Sequence, residues 1–356
     1  MLLCSIGEAL KSSTLSSLEL ENPPRDVLTQ IMDQQPKDRP GTIDIQGKSP
    51  DANSVSADRI QWIVRVQVED CEAALASYDR AIELDPNDAG AYYNRGSVCM
   101  GLGNYEAALA DYKRAIELAP HNAGAYHNQG VAYMGLGNYE AALASFNRAI
   151  ELDPHNSVAY NSRGAIIYYL GEKQNTIVTD APKAIADYDE SIRIDPNYAS
   201  AYNNRGNARA HLGDYQGAKA DYSAAIRLNP DDPQAYYNQG TVCYRLGDQL
   251  EAIANFTKAI ALNPHYAAAY NNRGIVRAEM TDWELAIADY NKAIQIDPDY
   301  AAAYYNRAHC RCAIPDYLSA IADFQQAAQL YQEQGITDDY QKALDNISKL
   351  QPSANG

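Results

Sequence analysis

From Ala89 onward, apolar positions recur in two alternating stripes. In Ala89–Asn122, Tyr92, Gly96 and Cys99 fall three or four residues apart. Ala108, Tyr112, Ala115, Ile116 and Leu118 form a second stripe. Both spacings predict helices with one apolar face. Gly101-Leu102-Gly103 separates them, because Gly costs about 1 kcal/mol against Ala inside a helix and favours its C-terminal end. Asn104 then suits an N-cap, a position that recurs as Asn138, Asp214, Asp248, Asp282 and Asp316. Pro120 stops the second helix, since the residue before proline avoids the helical basin.

The pattern is periodic. Pro86, Pro120, Pro154, Pro196, Pro230, Pro264 and Pro298 are spaced by 34, 34, 42, 34, 34 and 34 residues. With each proline at position 32 of a 34-position frame, repeats begin at Val55, Ala89, Ala123, Ser157, Ala199, Pro233, Ala267 and Ala301. Residues 55–334 are therefore expected to form an all-α array of eight helical hairpins. Small residues such as Gly96 and Ala108 let paired helices approach, and Tyr112 fills the space beside them. One hairpin cannot bury its own apolar face, so neighbours must stack.

Three segments depart from the frame. The fourth repeat carries eight extra residues, placed at 172–179 in the turn between its helices. Ala181 stands where other repeats carry an aromatic, and either Ile177 or Val178 folding back, or a plain surface loop, fits the pattern. The first repeat is degenerate: Ala57–Glu69 keeps none of the Tyr or Gly, but Ala74, Tyr78, Ala81 and Pro86 follow on schedule, so a hairpin is expected. Residues 1–54, rich in Ser, Asp, Pro and Gln, read as a disordered tail with a short helix near Asp26–Met32. Within 335–356, Tyr340, Leu344, Ile347 and Leu350 give a last helix one apolar face with which to cap the stack.

Composition narrows the possibilities. The 356 residues include 28 Tyr but only 3 Phe and 2 Trp, as expected of one module copied many times. An apolar fraction of 46% supports a packed core, and no apolar run reaches membrane-spanning length. The start, Met1 to Ser5, lacks the basic region of a secretory signal. Six scattered cysteines without a CxxC pair suit a reducing compartment, the cytoplasm. A net charge of −17 disfavours nucleic acid, which needs a positive footprint.

Tyr92-x2-Arg95-Gly96-x2-Cys99, Ala108-x3-Tyr112 and Pro120 resemble the tetratricopeptide repeat. Tyr126, Gln129, Gly130, Tyr133, Ala142, Phe146 and Pro154 match it more closely. Tyr202-Asn203-Asn204-Arg205-Gly206 is similar to the NRG-type arrays of bacterial proteins. The resemblance covers 55–334. It implies a right-handed superhelical solenoid, with first helices lining a concave face that grips peptides or partner proteins, and no chemistry of its own.

The repeats also serve as a comparison set. Positions 7 and 23 change together. Arg95 comes with Asp111, Arg163 with Asp187, Arg205 with Asp221, Arg273 with Asp289 and Arg307 with Asp323. Gln61 comes with Ser77, Gln129 with Ser145 and Gln239 with Asn255. An Arg–Asp bridge inside each charged hairpin is expected, against the plainer reading of two duplicated subtypes. Separately, Tyr198, Tyr266 and Tyr300 precede repeats carrying Arg209, Arg277 and Arg311.

The resemblance puts positions 2, 5, 6, 9, 12 and 13 of the first helices on the groove. Position 6 holds Asn94, Asn128, Ser162, Asn204, Asn238, Asn272 and Asn306. A row of amides could pair with the backbone of an extended peptide; Asn that merely caps or solvates the helix is the alternative. Beside the row stand Tyr93, His127, Tyr168, Tyr169, Tyr237, Tyr244 and Tyr305, with Met100 and Met134. In the seven full repeats Arg245 and Glu279 are the only formal charges at these positions, so the groove should be nearly neutral. In the seven full repeats position 5 carries no Lys or Arg, which argues against a clamp for a terminal carboxylate.

No catalytic motif, metal site or cofactor is expected. His121, His155 and His265 lie at multiples of a repeat step, too far apart for one metal. His309-Cys310-Arg311-Cys312 is dense, but residues one or two apart on a helix diverge. Cys99 and Cys243 fill core positions. The leading expectation is a non-catalytic scaffold binding an extended peptide or partner protein, as a monomer or weak homo-oligomer. The alternative is a structural subunit assembling through its repeat ends, with the valines of the first repeat at the contact.

Overall fold

The computed structural model describes residues 57–354, with side chains from Cys71 to Leu350. The tail 1–54 and the short helix expected near Asp26–Met32 lie outside the described residues. Among the described residues every regular element is an α-helix. Helix α1 spans Ala57–Leu84. Repeats two to four are α2 (Ala89–Gly101) with α3 (Tyr105–Leu118), α4 (Ala123–Gly135) with α5 (Tyr139–Leu152), and α6 (Ser157–Lys173) with α7 (Ile177–Ile194). Repeats five to eight are α8 (Ala199–His211) with α9 (Tyr215–Leu228), α10 (Pro233–Arg245) with α11 (Gln249–Leu262), α12 (Ala267–Glu279) with α13 (Trp283–Ile296), and α14 (Ala301–Ala313) with α15 (Tyr317–Glu333). Helix α16 is Thr337–Ala354. The chain divides between Ala201 and Tyr202 into an N-terminal and a C-terminal body, each a helical-repeat solenoid.

Local chemistry sets the hairpins. Asn104, Asn138 and Asp214 cap α3, α5 and α9, each side chain accepting a backbone N–H three residues on. Gly103 and Gly247 turn the chain at φ of +73° and +86°, the left-handed region that L side chains avoid. In both bodies a glycine at position 8 faces an aromatic ring at position 24. A Cβ on Gly96, Gly130 or Gly164 would meet the ring of Tyr112, Phe146 or Tyr188 at 2.7–2.9 Å. In the C-terminal body Gly206, Gly240 and Gly274 stand equally close to Tyr222, Phe256 and Tyr290. All six rings are buried. The glycine is therefore a packing requirement, which explains its recurrence.

One ring is over-equipped. The Tyr222 hydroxyl donates to Asn207 Oδ1 at 2.7 Å, whereas the buried hydroxyl of Tyr290 has no partner. Position 9, which supplies Asn207, is Ile275 in the repeat of Tyr290. Tyr290→Phe should therefore leave the thermal midpoint unchanged or raise it. Tyr222→Phe should cost about 1 kcal/mol. Melting curves of the two variants check this.

Two expectations change. The first repeat is one continuous 28-residue helix, not a hairpin. Its positions 13 to 15 are Gln67-Val68-Glu69, so no glycine is available to turn the chain. The eight extra residues of repeat four do not make a loop. They lengthen α6 to 17 and α7 to 18 residues, leaving Gln174–Thr176 as the turn. Thr176 occupies the N-cap position and Asp180 lies inside α7, its carboxylate accepting from the Thr176 hydroxyl. Ile177 is buried against Gly171 while Val178 is exposed, so Ile177 fills the aromatic's place. At the other end α16 packs on α15 with Ala343, Ile347 and Leu350 buried.

Candidate functional site

The charged pairs form as the sequence implied. In all five hairpins the Arg Nε and Nη2 donate to the two carboxylate oxygens of the Asp at 2.5–3.0 Å. Each of these aspartates is 3–6% exposed. Four of the arginines also reach back to position 25 of the preceding repeat: Arg95 to Asp79, Arg163 to Asn147, Arg273 to Thr257 and Arg307 to Asn291. Such a bidentate fork fixes one helix against two neighbours. Arg209, Arg277 and Arg311 add a second guanidinium to Asp221, Asp289 and Asp323 at 2.7–2.8 Å. That accounts for the arginine half of the tyrosine–arginine association. Among the neutral pairs, Ser145 donates to Gln129 at 3.1 Å. Gln239 departs from its expected pairing: it donates to Ser223 of the preceding repeat, while Asn255 donates to Cys243 Sγ at 3.8 Å. The Gln61 side chain lies outside the described residues.

The asparagine row is employed differently from the expectation of open amides. Asn128, Asn204, Asn238, Asn272 and Asn306 are buried, 0–6% exposed. In the N-terminal body Asn128 Nδ2 donates to the Tyr93 hydroxyl at 3.0 Å, and Ser162 meets His127 Nε2 at 3.2 Å. In the C-terminal body Asn238 donates to Asn203 at 3.3 Å, Asn272 to the Tyr237 hydroxyl at 2.9 Å, and Asn306 to Asn271 at 3.2 Å. Position 6 of one repeat is thus fastened to position 5 of the repeat before it. Asn346 of α16 repeats the bond with the Tyr305 hydroxyl at 3.2 Å. Asn94 alone of the row is exposed. Its counterpart at position 5 would be Arg59 of α1, whose side chain lies outside the described residues.

Burial also takes several candidate contact residues off the surface. His127, Tyr237 and Tyr305 are 8%, 2% and 4% exposed, and Tyr168, Met100 and Met134 are likewise buried. They pack between successive first helices, where side chains at adjacent positions of neighbouring repeats meet. Tyr93, Tyr169 and Tyr244 are half-buried and Arg245 is exposed. Accessible polarity therefore collects at position 13, at the turn end of the first helices, with position 17 of the preceding repeat beside it. There the Tyr139 hydroxyl donates to Tyr169 at 3.2 Å, and Lys173 lies 5.3 Å from the Tyr169 ring centre. In the C-terminal body Glu279 accepts from the Tyr244 hydroxyl and from Gln249 Nε2. Tyr139 and Gln249 escaped sequence reading because they belong to second helices. Their signal was the common position 17.

Two histidines sit in this inner layer. His127 Nδ1 contacts Asn128 Oδ1 at 3.2 Å, so Nδ1 carries the hydrogen and Nε2 accepts from Ser162. Burial holds its pKa below the usual value. His309 is wedged edge-on between Tyr305 and Phe324, with Nε2 buried and unpartnered. Burial, with the nearby Lys349 charge, lowers its pKa from 6.5 to about 4. A depressed pKa favours the neutral form in the folded state. His309 therefore supports stability above pH 6.5 and withdraws that support as pH falls toward 4. The loss should be on the order of 3 kcal/mol. Unfolding curves of the wild type and His309→Phe, compared between pH 7 and 4, should diverge by that amount.

Among the described residues no group of three or more His, Cys, Asp or Glu is placed to hold a metal ion. Burial raises the Cys310 and Cys312 thiols to about 12, away from reactive thiolates. His121, His155 and His265 are exposed. No helix among the described residues is long and apolar enough to cross a membrane.

A stack of helical hairpins, tied at positions 5, 6, 7 and 23, defines a helical-repeat protein. Sequence models of the tetratricopeptide repeat match residues 62–127 and 178–237, 99–157 and 127–174, 240–281 and 276–310, and 222–254. The chain belongs to the tetratricopeptide repeat family. No curated protein matches it at the level of sequence. Among solved structures it is similar to a chain of the APC/C hetero-tetramer Cut9–Hcn1, at a TM-score of 0.57 and 18% identity. That likeness covers 78% of this chain and 52% of the other, so the chain spans about half its length. A tetratricopeptide repeat protein from Parabacteroides merdae gives 0.53 and 21% identity over 76% and 99% of the two chains. The pilF protein of Pseudomonas aeruginosa gives 0.52 and 21% over 62% and 95%. These likenesses concern the fold.

Proposed function

We propose that the chain is a non-catalytic scaffold that holds an extended segment of a partner protein at the turn-end rim of its first helices. The observation that carries the reading is the contrast between the two parts of that face. Its inner positions are buried and committed to neighbouring repeats, whereas the rim presents Tyr139, Tyr169 and Lys173 in one body and Tyr244, Arg245, Gln249 and Glu279 in the other. Half-buried tyrosines with fixed hydroxyls are large, low-entropy contacts of the kind that dominate interfaces. In this reading Asn128, Asn204, Asn238, Asn272 and Asn306, with His127, Tyr237 and Tyr305, hold the surface in shape. Tyr93 and the exposed Asn94 remain available as contacts. The net charge of −17 argues for a protein partner rather than nucleic acid.

The test uses the intact chain as bait, with captured proteins identified by mass spectrometry. A partner held by the wild type should be lost from the combined Tyr169→Ala and Tyr244→Ala variant, whose melting curve should match the wild type. Retention by that variant would contradict the rim as the contact. Sedimentation of the bait alone separates this reading from self-assembly through the repeat ends.

A further inference from the structure

The N-terminal body has an open place where repeat one should carry a first helix. Residues 71–84 of α1 serve as the second helix of that repeat and pack on α2, with Leu75 against the core there. In each of the seven later repeats the alanine at position 20 and the ring at position 24 are buried. In repeat one the same positions, Ala74 and Tyr78, are only half-buried, as is Ala81 at position 27. Asn94, whose counterparts bond to the preceding first helix, is exposed. The open place is an apolar strip for a helix of about 20 Å, the length of the 13-residue α2. Its shape is restrictive. In six repeats a Cβ at position 8 would meet the position-24 ring at 2.7–2.9 Å, and Ala308 is the largest residue any full repeat places there. The in-frame residue of repeat one is Trp62. An indole does not fit where a methyl group is already crowded. That is a second reason, beside the missing turn glycine, why α1 runs on instead of folding back.

The occupant must be a helix with a small residue at position 8 and apolar residues at positions 4 and 11. Three glycines precede α1: Gly7, Gly41 and Gly47. Gly41 follows Pro40 and has Lys37 and Asp44 at the outer positions, and Gly47 has Pro50 at position 11. Gly7 has Leu3 at position 4 and Leu10 at position 11, with Ala9 at position 10, where Ala132 and Ala208 stand in their repeats. Position 11 is uncharged wherever position 23 is, as in Tyr133 and Cys243, and position 23 of repeat one is Ser77. Ser77 already donates to the Ala73 carbonyl at 2.8 Å, so Ile6 at position 7 leaves it no bond to make. From this fit we infer that residues 3–11 supply the missing first helix, with Gly7 against Tyr78. Paired helices run antiparallel, so Leu3 lies toward Ala81 and Leu10 toward Ala74. At coil dimensions residues 12–56 span about 35–40 Å, comparable with the length of the 28-residue α1, about 42 Å. A second copy could offer the same helix, but the tether supplies it within one chain at roughly millimolar effective concentration. The helix closes the first repeat, as α16 closes the last. With Cys4 at position 5 it also takes Asn94 out of the free contacts and into the row. The inference does not depend on the rim.

Amide hydrogen exchange on the intact chain, read by peptide mass spectrometry, tests it. Residues 3–11 should exchange at least about tenfold more slowly than an unstructured chain. Gly7→Trp should abolish that protection and speed exchange in residues 71–84 about tenfold. Gly7→Ala should keep both, because position 8 accepts Ala308 opposite Phe324. Unprotected residues 3–11 in the wild type, or protection that survives Gly7→Trp, would overturn the inference. Protection lost without any change in residues 71–84 would put the helix elsewhere and overturn it too. Protection that appears only as sedimentation shows a dimer would assign the helix to a second copy, against the assignment within one chain. None of these outcomes touches the scaffold reading, since the Gly7 variants alter no rim residue.

Discussion

Asp221→Asn should destabilise the C-terminal body by about 3 kcal/mol, the largest single effect expected of a polar substitution here. The carboxylate is 3% exposed and receives Arg205 through two bonds and Arg209 through a third, at 2.6–2.9 Å. Neutralising it removes the buried carboxylate that both guanidiniums share in a poorly solvated seam, although Arg209 keeps Asp214 at 3.9 Å. The Arg205 side chain is 14% exposed and that of Arg209 27%, so solvent relieves part of the penalty and the lower end of the usual range applies. Arg209→Gln should cost under about 1 kcal/mol, because Arg205 keeps its fork on the carboxylate. A double-mutant cycle on Arg205 and Asp221, read from denaturant unfolding, should show strong coupling. Independent, additive losses would mean that the pair merely accompanies repeat subtype.

Gly240→Val should cost about 3 kcal/mol or unfold the body outright. A single Cβ there already comes within 2.8 Å of Phe256, a ring with no exposed surface. Valine adds two further methyl groups, and its branching leaves few rotamers to escape the ring. Gly240→Ala should be milder, about 1–2 kcal/mol, because Ala308 stands naturally at the same position opposite Phe324. Thermal midpoints of the two variants check the ranking. A valine variant as stable as the alanine one would show that the helices separate easily.

The fold was legible because the chain is its own alignment. Prolines at position 32 mark the period, and the joint change of positions 7 and 23 marks the Arg–Asp contact. The same method failed where one contact has two possible neighbours. Gln239 can reach position 23 of its own hairpin or position 25 of the repeat before, and it takes the second, Ser223. The asparagine row admits two readings for a related reason. Periodicity shows that position 6 is constrained but not whether ligand or neighbouring repeat imposes the constraint. Position 5, with Tyr93, Asn203, Tyr237 and Asn271 as bonding partners, held the missing half of the pattern. In repeat four, placing the extra residues in the turn at 172–179 assumes helices of fixed length, whereas Ile177 extends α7 by an apolar residue that packs. In repeat one, Tyr78 and Ala81 keep the frame, but nothing at positions 13 to 15 breaks the helix.

The decisive measurement is the unfolding of Asn272→Ala beside its partner binding. Asn272 is 3% exposed and donates to the buried Tyr237 hydroxyl. Its loss should lower stability by about 1–3 kcal/mol, with Tyr237→Phe adding little more in the double variant, while the folded protein still captures its partner. An unchanged unfolding curve together with lost capture would show that the amides serve the ligand rather than the stack.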